Sequence, residues 1–391
     1  MRVFLYLYPV LLAAAALLTV SFVSIRVRRA IVRRRFALSH GCQPIAKSCN
    51  KFPLLGIDVM LENIRATREH RFLELSRQRH ALLGNTFESR QLLKPAILTV
   101  EPENIMAILA LNFKDYGIGH RLQRVGPLLG AGIFTHDGEH WETSRALIRP
   151  SFSRKQVADL TQFEELLSEL LSLIPRDGKT TVDLQDLLFR YSIDSATTFL
   201  FGQSVGSLKK SAQSESDLAH AFDYAQESIR MRKFLGPLSR FYSDPKADGC
   251  NKLCREFAQQ FVDEAVRAVE PDQDCIEKDG LASSPRSKGQ KYIFSHELAR
   301  RTSDKRRILD ELMNVFMAGY ETTASLLSNL FFMLARHPRI WSKLRKEIAV
   351  LDGRVPSYEE VRNFKFLKCC INECEISMRQ HKASSSKMNN G

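Results

Sequence analysis

The stretch MAGYETTASLL at residues 317–327 sets Gly319, Glu321, Thr322 and Thr323 in the middle of a helix that is otherwise built to be buried. A glycine inside a buried helix costs roughly 1 kcal/mol relative to alanine, so a close approach or a distortion is expected at Gly319, with a gap or groove beside it. Thr322 and Thr323 can bond back to carbonyls four residues earlier and bend the helix, and a carboxylate at Glu321 is costly to bury without a partner. Two readings follow. One is a packing notch whose hydroxyls are satisfied within the helix, with Glu321 on the solvent face. The other is a groove that uses these groups. A second stretch, HWETSR, places Trp141 and Arg145 four residues apart and so on one helix face. That arginine is either an ordinary surface charge beside a core tryptophan or a charge-assisted donor to an anion.

The cysteines offer less. Cys250 and Cys254, like Cys370 and Cys374, stand four apart, which puts each pair on one helix face, whereas zinc modules use a tighter Cys-x-x-Cys spacing with further ligands nearby. The eight thiols are expected to be reduced structural residues, and no metal ligand is assigned.

The elements that must position these groups belong to a 391-residue chain with the apolar and charged fractions of a globular protein. Its net charge of +13 resembles a nucleic-acid footprint until its location is considered. No acid precedes Asp58, while nine basic residues do, leaving about +4 for the rest, too little for a nucleic-acid partner. Residues 3–25 form an uncharged apolar run long enough to cross a hydrocarbon core of roughly 30 Å. A cleaved signal peptide competes with a transmembrane anchor, but the run exceeds the usual apolar core of about 7–15 residues, and basic residues follow it where small ones would be cleaved. The cluster from Arg26 to Arg35 then places the body in the cytosol by the positive-inside rule, or lies on anionic lipid.

The body reads as mainly helical, with no internal repeat. A first helix is expected from Pro53 to about Arg79, then a hairpin from TFESRQLL and PAILTV. Pro102 opens a helix to about Leu111, and a glycine-containing loop runs from Asn112 to His136. DGEHWETSRALIRPSF forms a short helix stopped before Pro150. Ser153 with Gln156 makes a capping-box pattern for a helix to about Leu173. Helices follow at Leu184 to Phe201, Ser216 to Arg232 and Cys250 to Val269, with a surface loop from Glu270 to Lys291. Asp304 begins the longest periodic segment, which ends at Pro338. A helix from Pro338 to about Leu351, a second capping box at Ser357 and Glu360, and FLKCCINEC complete the pattern.

Taken together, the two polar stretches resemble the cytochromes P-450, membrane-bound haem-thiolate monooxygenases. Ala318, Gly319, Glu321, Thr322 and Thr323 match that family's central-helix pattern, and Trp141 and Arg145 its Trp-x-x-x-Arg. The ARHP helix end and LKCCINE are also similar to that family. GIFTHDGEHWETSRALIRPSF and DLLFRYSIDSATTFLFG look most like its fungal alkane and fatty-acid hydroxylases. The resemblance implies that Arg145, beside Trp141, bonds a haem propionate. It implies that Ala318 and Gly319, with Thr323, border the haem's oxygen side, that Thr322 donates a hydrogen bond to the bound oxygen, and that Glu321 helps deliver protons. The implied activity is hydroxylation of a small hydrophobic substrate, a long-chain alkane or fatty acid, at the endoplasmic reticulum membrane. Its electrons come from NADPH through a flavoprotein reductase.

The resemblance fails towards the C-terminus. Glu373 is in register for the family's Glu-x-x-Arg, but Ile376 stands at the arginine position, and no Phe-x-x-Gly-x-Arg-x-Cys-x-Gly loop supplies an axial cysteine. The expected architecture is therefore mainly α with a small β element, similar to the cytochrome P-450 fold, C-terminally truncated and carrying an N-terminal transmembrane helix. Its parts are an anchor at 3–25, a basic and Pro-containing linker at 26–52, an incomplete monooxygenase domain at 53–373 and an aberrant polar tail at 374–391. A non-catalytic membrane-anchored fragment that never holds haem is the alternative.

Overall fold

The computed structural model describes residues 2–48, 56–69, 71–91, 94–153, 160–209, 217–276 and 292–381. The chain is helical with one small sheet. Helix α1 spans Arg2–Ser39, and strand β1 is Ala46–Lys47. Helices α2 (Ile57–Arg68) and α3 (Phe72–Leu83) precede strands β2 (Thr86–Gln91) and β3 (Lys94–Thr99). The helix expected from Pro53 to Arg79 is thus two helices, with its first residues outside the described ones. The break falls where the Glu69 and Arg71 amides close on Arg65 and Ala66, and the Arg65 and Arg71 guanidiniums both reach Glu69. The hairpin pairs antiparallel as expected, with Phe87 opposite Leu98 and Glu88 opposite Ile97. The two-residue β1 adds in parallel to β2, too short for any alternation to reveal it.

Helix α4 (Pro102–Met106) continues as a π-helical turn at Ala107–Leu111. There follow α5 (Arg121–Leu129), α6 (Gly138–Ile148), α7 (Thr161–Ser172), α8 (Leu184–Phe201), α9 (Asp217–Leu235), α10 (Pro245–Ile276) and α11 (Phe294–Ala299). The Ser153–Gln156 capping box lies largely outside the described residues, as does most of the expected 270–291 loop, whose first seven residues extend α10. The central helix α12 runs unbroken from Lys305 to Arg336. Asp304 caps it by accepting from the Arg307 amide at 3.1 Å. Helices α13 (Pro338–Ile348), α14 (Tyr358–Asn363) and α15 (Lys365–His381) complete the chain. The Ser357–Glu360 capping box forms as expected. Helix α15 continues through residues 374–381, with Cys374 buried, and 382–391 lie outside the described residues.

The main core surrounds the first half of α12. Ile308, Leu312, Met313 and Phe316 pack against Leu128 and Leu129 of α5, Ile193 and Leu200 of α8, Phe222 of α9, Val262 of α10 and Leu298 of α11. A second cluster joins α7 to α8, and a third joins the far end of α12 to α13 and α15. The expected span at 3–25 falls within α1, but the side chains of residues 2–15 lie outside the described ones. Among the described residues no helix is long and apolar enough to cross a membrane. The helix does not stop at the basic cluster, because the arginines there are compatible with continued helix and no Gly or Pro intervenes before Gly41.

Candidate functional site

Polar side chains on α12 divide into two groups. The second group is the one expected from the sequence. The Thr322 hydroxyl donates to the Ala318 carbonyl at 2.6 Å, the predicted back-bond, and both threonines, Thr322 and Thr323, are exposed. Ala318, Gly319 and Glu321 are half-buried. Gly319 corrects an expectation: nothing approaches it closely, since an added Cβ would meet only the Ala196 Cβ at 4.0 Å, and the helix runs through it unbroken. What reaches this turn instead is Ser192 of α8, whose hydroxyl donates to the Tyr320 carbonyl at 2.7 Å. Beyond it, Ser325, Ser328, Asn329, Phe331 and Phe332 of α12 face Trp341 of α13 across an open groove of about 860 Å³. This falls within the usual size range of small-molecule sites.

Trp141 and Arg145 do share a face of α6. The Arg145 guanidinium lies 5.4 Å from the Trp141 ring centre, and the ring's other neighbour is Phe113 at 5.1 Å. Arg145 is exposed and half of Trp141 is covered, so the arginine keeps its donors open to an anion. Each pair is thus assembled within its own helix, Trp141 with Arg145 on α6 and Ala318 with Thr322 on α12.

The group that sequence reasoning missed is the first one: Asp310, Glu311 and Asn314, all buried in the N-terminal half of α12. Asp310 accepts from the Ala131 amide at 2.8 Å and from Arg255 of α10 at 2.7 Å. Glu311 accepts from the Ile133 amide at 3.2 Å, and Asn314 accepts from Phe134 at 3.0 Å while donating to the Leu129 carbonyl at 3.0 Å. Burial pushes the Glu311 carboxyl above the usual carboxylate range, an effect reduced by the Ser144 hydroxyl, the Ile133 amide and the charges of Arg307 and His140. The His136 ring lies against that of His140, tilted by 33° with centres 4.1 Å apart, and is pushed below the usual imidazole range, first by burial and then by that neighbour. The one signal available was three polar residues spaced i, i+1, i+4 within the apolar run ILDELMNVF.

Residues 50–388 match the Cytochrome P450 family. This chain belongs to the cytochrome P450 family. It is 42% identical over 374 residues to the cytochrome P450 monooxygenase himC of Aspergillus japonicus, covering 94% of this chain and 66% of that one. It is 40% identical over 294 residues to cytochrome P450 52A3-B of Candida maltosa, covering 71% of this chain and 54% of that one. A solved structure, the crystal structure of cytochrome P450DA heme domain, superposes with a TM-score of 0.65 at 17% identity, over 85% of this chain and 69% of that one, which shows the shared fold. The chain spans about two thirds or less of the length of these two curated relatives.

The cofactor of cytochromes P450 is haem. The Arg145 guanidinium is exposed, with a charge and donors suited to a carboxylate such as a haem propionate, and the turn at Ala318 and Thr322 is partly open. The described cysteines do not fit the iron. Cys254 is buried in the core with its thiol pushed up to about 12 by burial, and burial likewise raises Cys370 in the interface of α12 with α15. Cys374 is buried in that same interface, Cys250 is half-buried against the main core, and Cys42 and Cys369 are exposed. A thiolate ligand is stabilised by nearby positive charge or by the metal, and these packed thiols face apolar side chains. Cys49 and the side chain of Cys275 lie outside the described residues.

Proposed function

We propose that this chain forms the substrate and oxygen side of a haem-dependent monooxygenase that hydroxylates long-chain aliphatic substrates, an alkane or a fatty acid. Its electrons would come from NADPH through a flavoprotein reductase. The observation that carries the reading is the second half of α12, where an exposed, back-bonded Thr322 borders Ala318 and Gly319 and leads into an apolar groove. An apolar groove with few polar groups selects hydrocarbon over charged substrates. The aliphatic class is further supported by the likeness of residues 132–152 and 186–202 to fungal hydroxylases. When bound, haem supplies the oxygen-activating chemistry. Within this chain, Arg145 would hold the cofactor's carboxylate edge, Thr322 would donate a hydrogen bond on the open face once its hydroxyl leaves the Ala318 carbonyl, and Glu321 would help deliver protons.

The N-terminal helix is proposed to fix the body to the endoplasmic reticulum membrane by a single pass, with the body in the cytosol. Leu17, Leu18, Val20 and Phe22 are exposed along α1, and the arginines follow them. A second reading, a membrane-anchored fragment that holds no haem, is favoured by the thiols that face apolar surroundings. Reduction of the purified protein under carbon monoxide decides between them. A thiolate-type Soret band together with hydroxylated alkane supports the monooxygenase. Absence of bound haem after expression with added haem precursor replaces that reading with the fragment.

A further inference from the structure

The polar residues in the first half of α12 touch no part of the open face, yet they are more completely buried than anything on it. Asp310, Glu311 and Asn314 each accept a hydrogen bond from the backbone of the loop between α5 and α6, at Ala131, Ile133 and Phe134 in turn. That loop comes closer to α12 than any side chain would permit. At Gly130, whose φ of +68° already favours glycine, an added Cβ would lie 1.8 Å from an Asp310 carboxylate oxygen. At Gly132 it would lie 2.4 Å from the Asn314 amide nitrogen.

The contacts then pass from loop to helix. His140, the residue before Trp141, donates its Nε2–H to the Ala131 carbonyl at 3.0 Å, so the peptide unit whose neighbours are read by Asp310 also anchors the first turn of α6. Arg307 of α12 donates to the Ser144 hydroxyl at 3.1 Å, the residue before Arg145. Arg255 fixes the other end, bonding Asp310 and the Leu128 carbonyl together. Each residue flanking the Trp141–Arg145 pair on its N-terminal side is therefore tied, directly or through the loop, to the first half of α12.

We propose that Asp310, Glu311 and Asn314 are positioning residues: a side-chain template on α12 that reads the backbone of residues 129–134 and so sets the pose of Trp141 and Arg145. Hydrogen bonds read by backbone amides fix a loop's register without depending on its side chains, and three of them in series leave little freedom of rotation. The assignment of Arg145 to a haem edge rests on the proposed monooxygenase reading; the template itself does not.

The test uses the full chain with Trp341→Phe, which leaves Trp141 as the only one of the chain's two tryptophans. In this background Asn314→Leu removes both polar atoms at similar volume, and Glu311→Gln keeps an acceptor for the Ile133 amide. Asn314→Leu is expected to speed amide exchange at residues 131–134 about tenfold, to leave exchange in residues 190–200 of α8 unchanged, and to shift the Trp141 emission and its quenching by acrylamide. Glu311→Gln is expected to leave the Trp141 signal as in the parent. If Asn314→Leu does not fold, Gly132→Ala displaces the same loop from the other side and carries the same expectation. Equal acceleration in 131–134 and 190–200, or an unmoved Trp141 signal, overturns the template. Haem retention is measured on the same samples: a displaced Trp141 with unchanged haem affinity keeps the template and removes Arg145 from the cofactor reading.

Discussion

The two halves of α12 have the same local conformation and opposite obligations. From Ile308 to Phe316 every residue is buried, and its polar side chains reach other elements, the 129–134 loop and Arg255, even though Asn314 also bonds back to the Asp310 carbonyl at 2.7 Å. From Gly319 onwards the hydroxyls and amide turn back on their own helix, Thr322 to Ala318, Ser328 to Ala324 and Asn329 to Ser325. Ser192 of α8 bonds this half through backbone carbonyls, not side chains. A polar residue in the first half is thus part of the tertiary structure, whereas one in the second half can be changed with little effect on its neighbours. A site that must meet changing partners is best built from the latter kind, on a rod held firm by the former.

That contrast can be broken most severely through packing. Leu312, fully buried in the main core, should cost about 2–5 kcal/mol on replacement by alanine, while Phe332→Ala, on the exposed side of the second half, should cost under about 1 kcal/mol. Urea denaturation of both variants measures the difference, and equal losses would show that the two halves are equally integrated.

A subtler probe is pH. The Glu311 carboxyl is raised by burial, so the folded chain binds its proton more tightly than the unfolded chain does. The stability this contributes is complete below the unfolded value of about 4.3 and is lost as pH rises through the folded value. Glu311→Gln cannot ionise, so its denaturation midpoint should gain on the parent as pH increases from about 4 towards neutrality. A constant offset across that range would place Glu311 outside the titrating groups.

The smallest effect is expected at Thr322. Because its hydroxyl bonds only its own helix and is exposed, Thr322→Ala should move stability by no more than about 0.5 kcal/mol in either direction, measured by the same denaturation. A loss of about 2 kcal/mol would mean that Thr322 carries tertiary structure after all.

Sequence alone exposed what is local. The helix start at Asp304, the capping box at Ser357 and Glu360, the hairpin and the Thr322 back-bond all depend on residues within a few positions, and each formed where the pattern placed it. The Trp141–Arg145 pair was legible for the same reason. What escaped depends on distant partners. Asp310, Glu311 and Asn314 find theirs some 180 residues earlier in the chain, and nothing in ILDELMNVF says which backbone they will meet. Gly319 was misread in the same way: its neighbour, Ala196, is on α8 and is itself small, so the expected crowding never arises. The parallel strand β1 and the division of α2 from α3 were hidden by brevity, since two residues show no period and one turn of charged residues can end a helix or continue it.

Helix α1 has a mechanical consequence. Its 38 residues run without a break past Ile25 and through the arginines to Ser39, and the first backbone reversal comes at Gly41, in the left-handed region at φ +64°. The fourteen residues from Arg26 to Ser39 therefore make a stiff rod of about 21 Å between the end of the apolar run and the first pivot. A torque applied to the body would be relieved at Gly41, not at the arginines, and shortening or kinking the rod would change how far the body stands from whatever surface holds the helix.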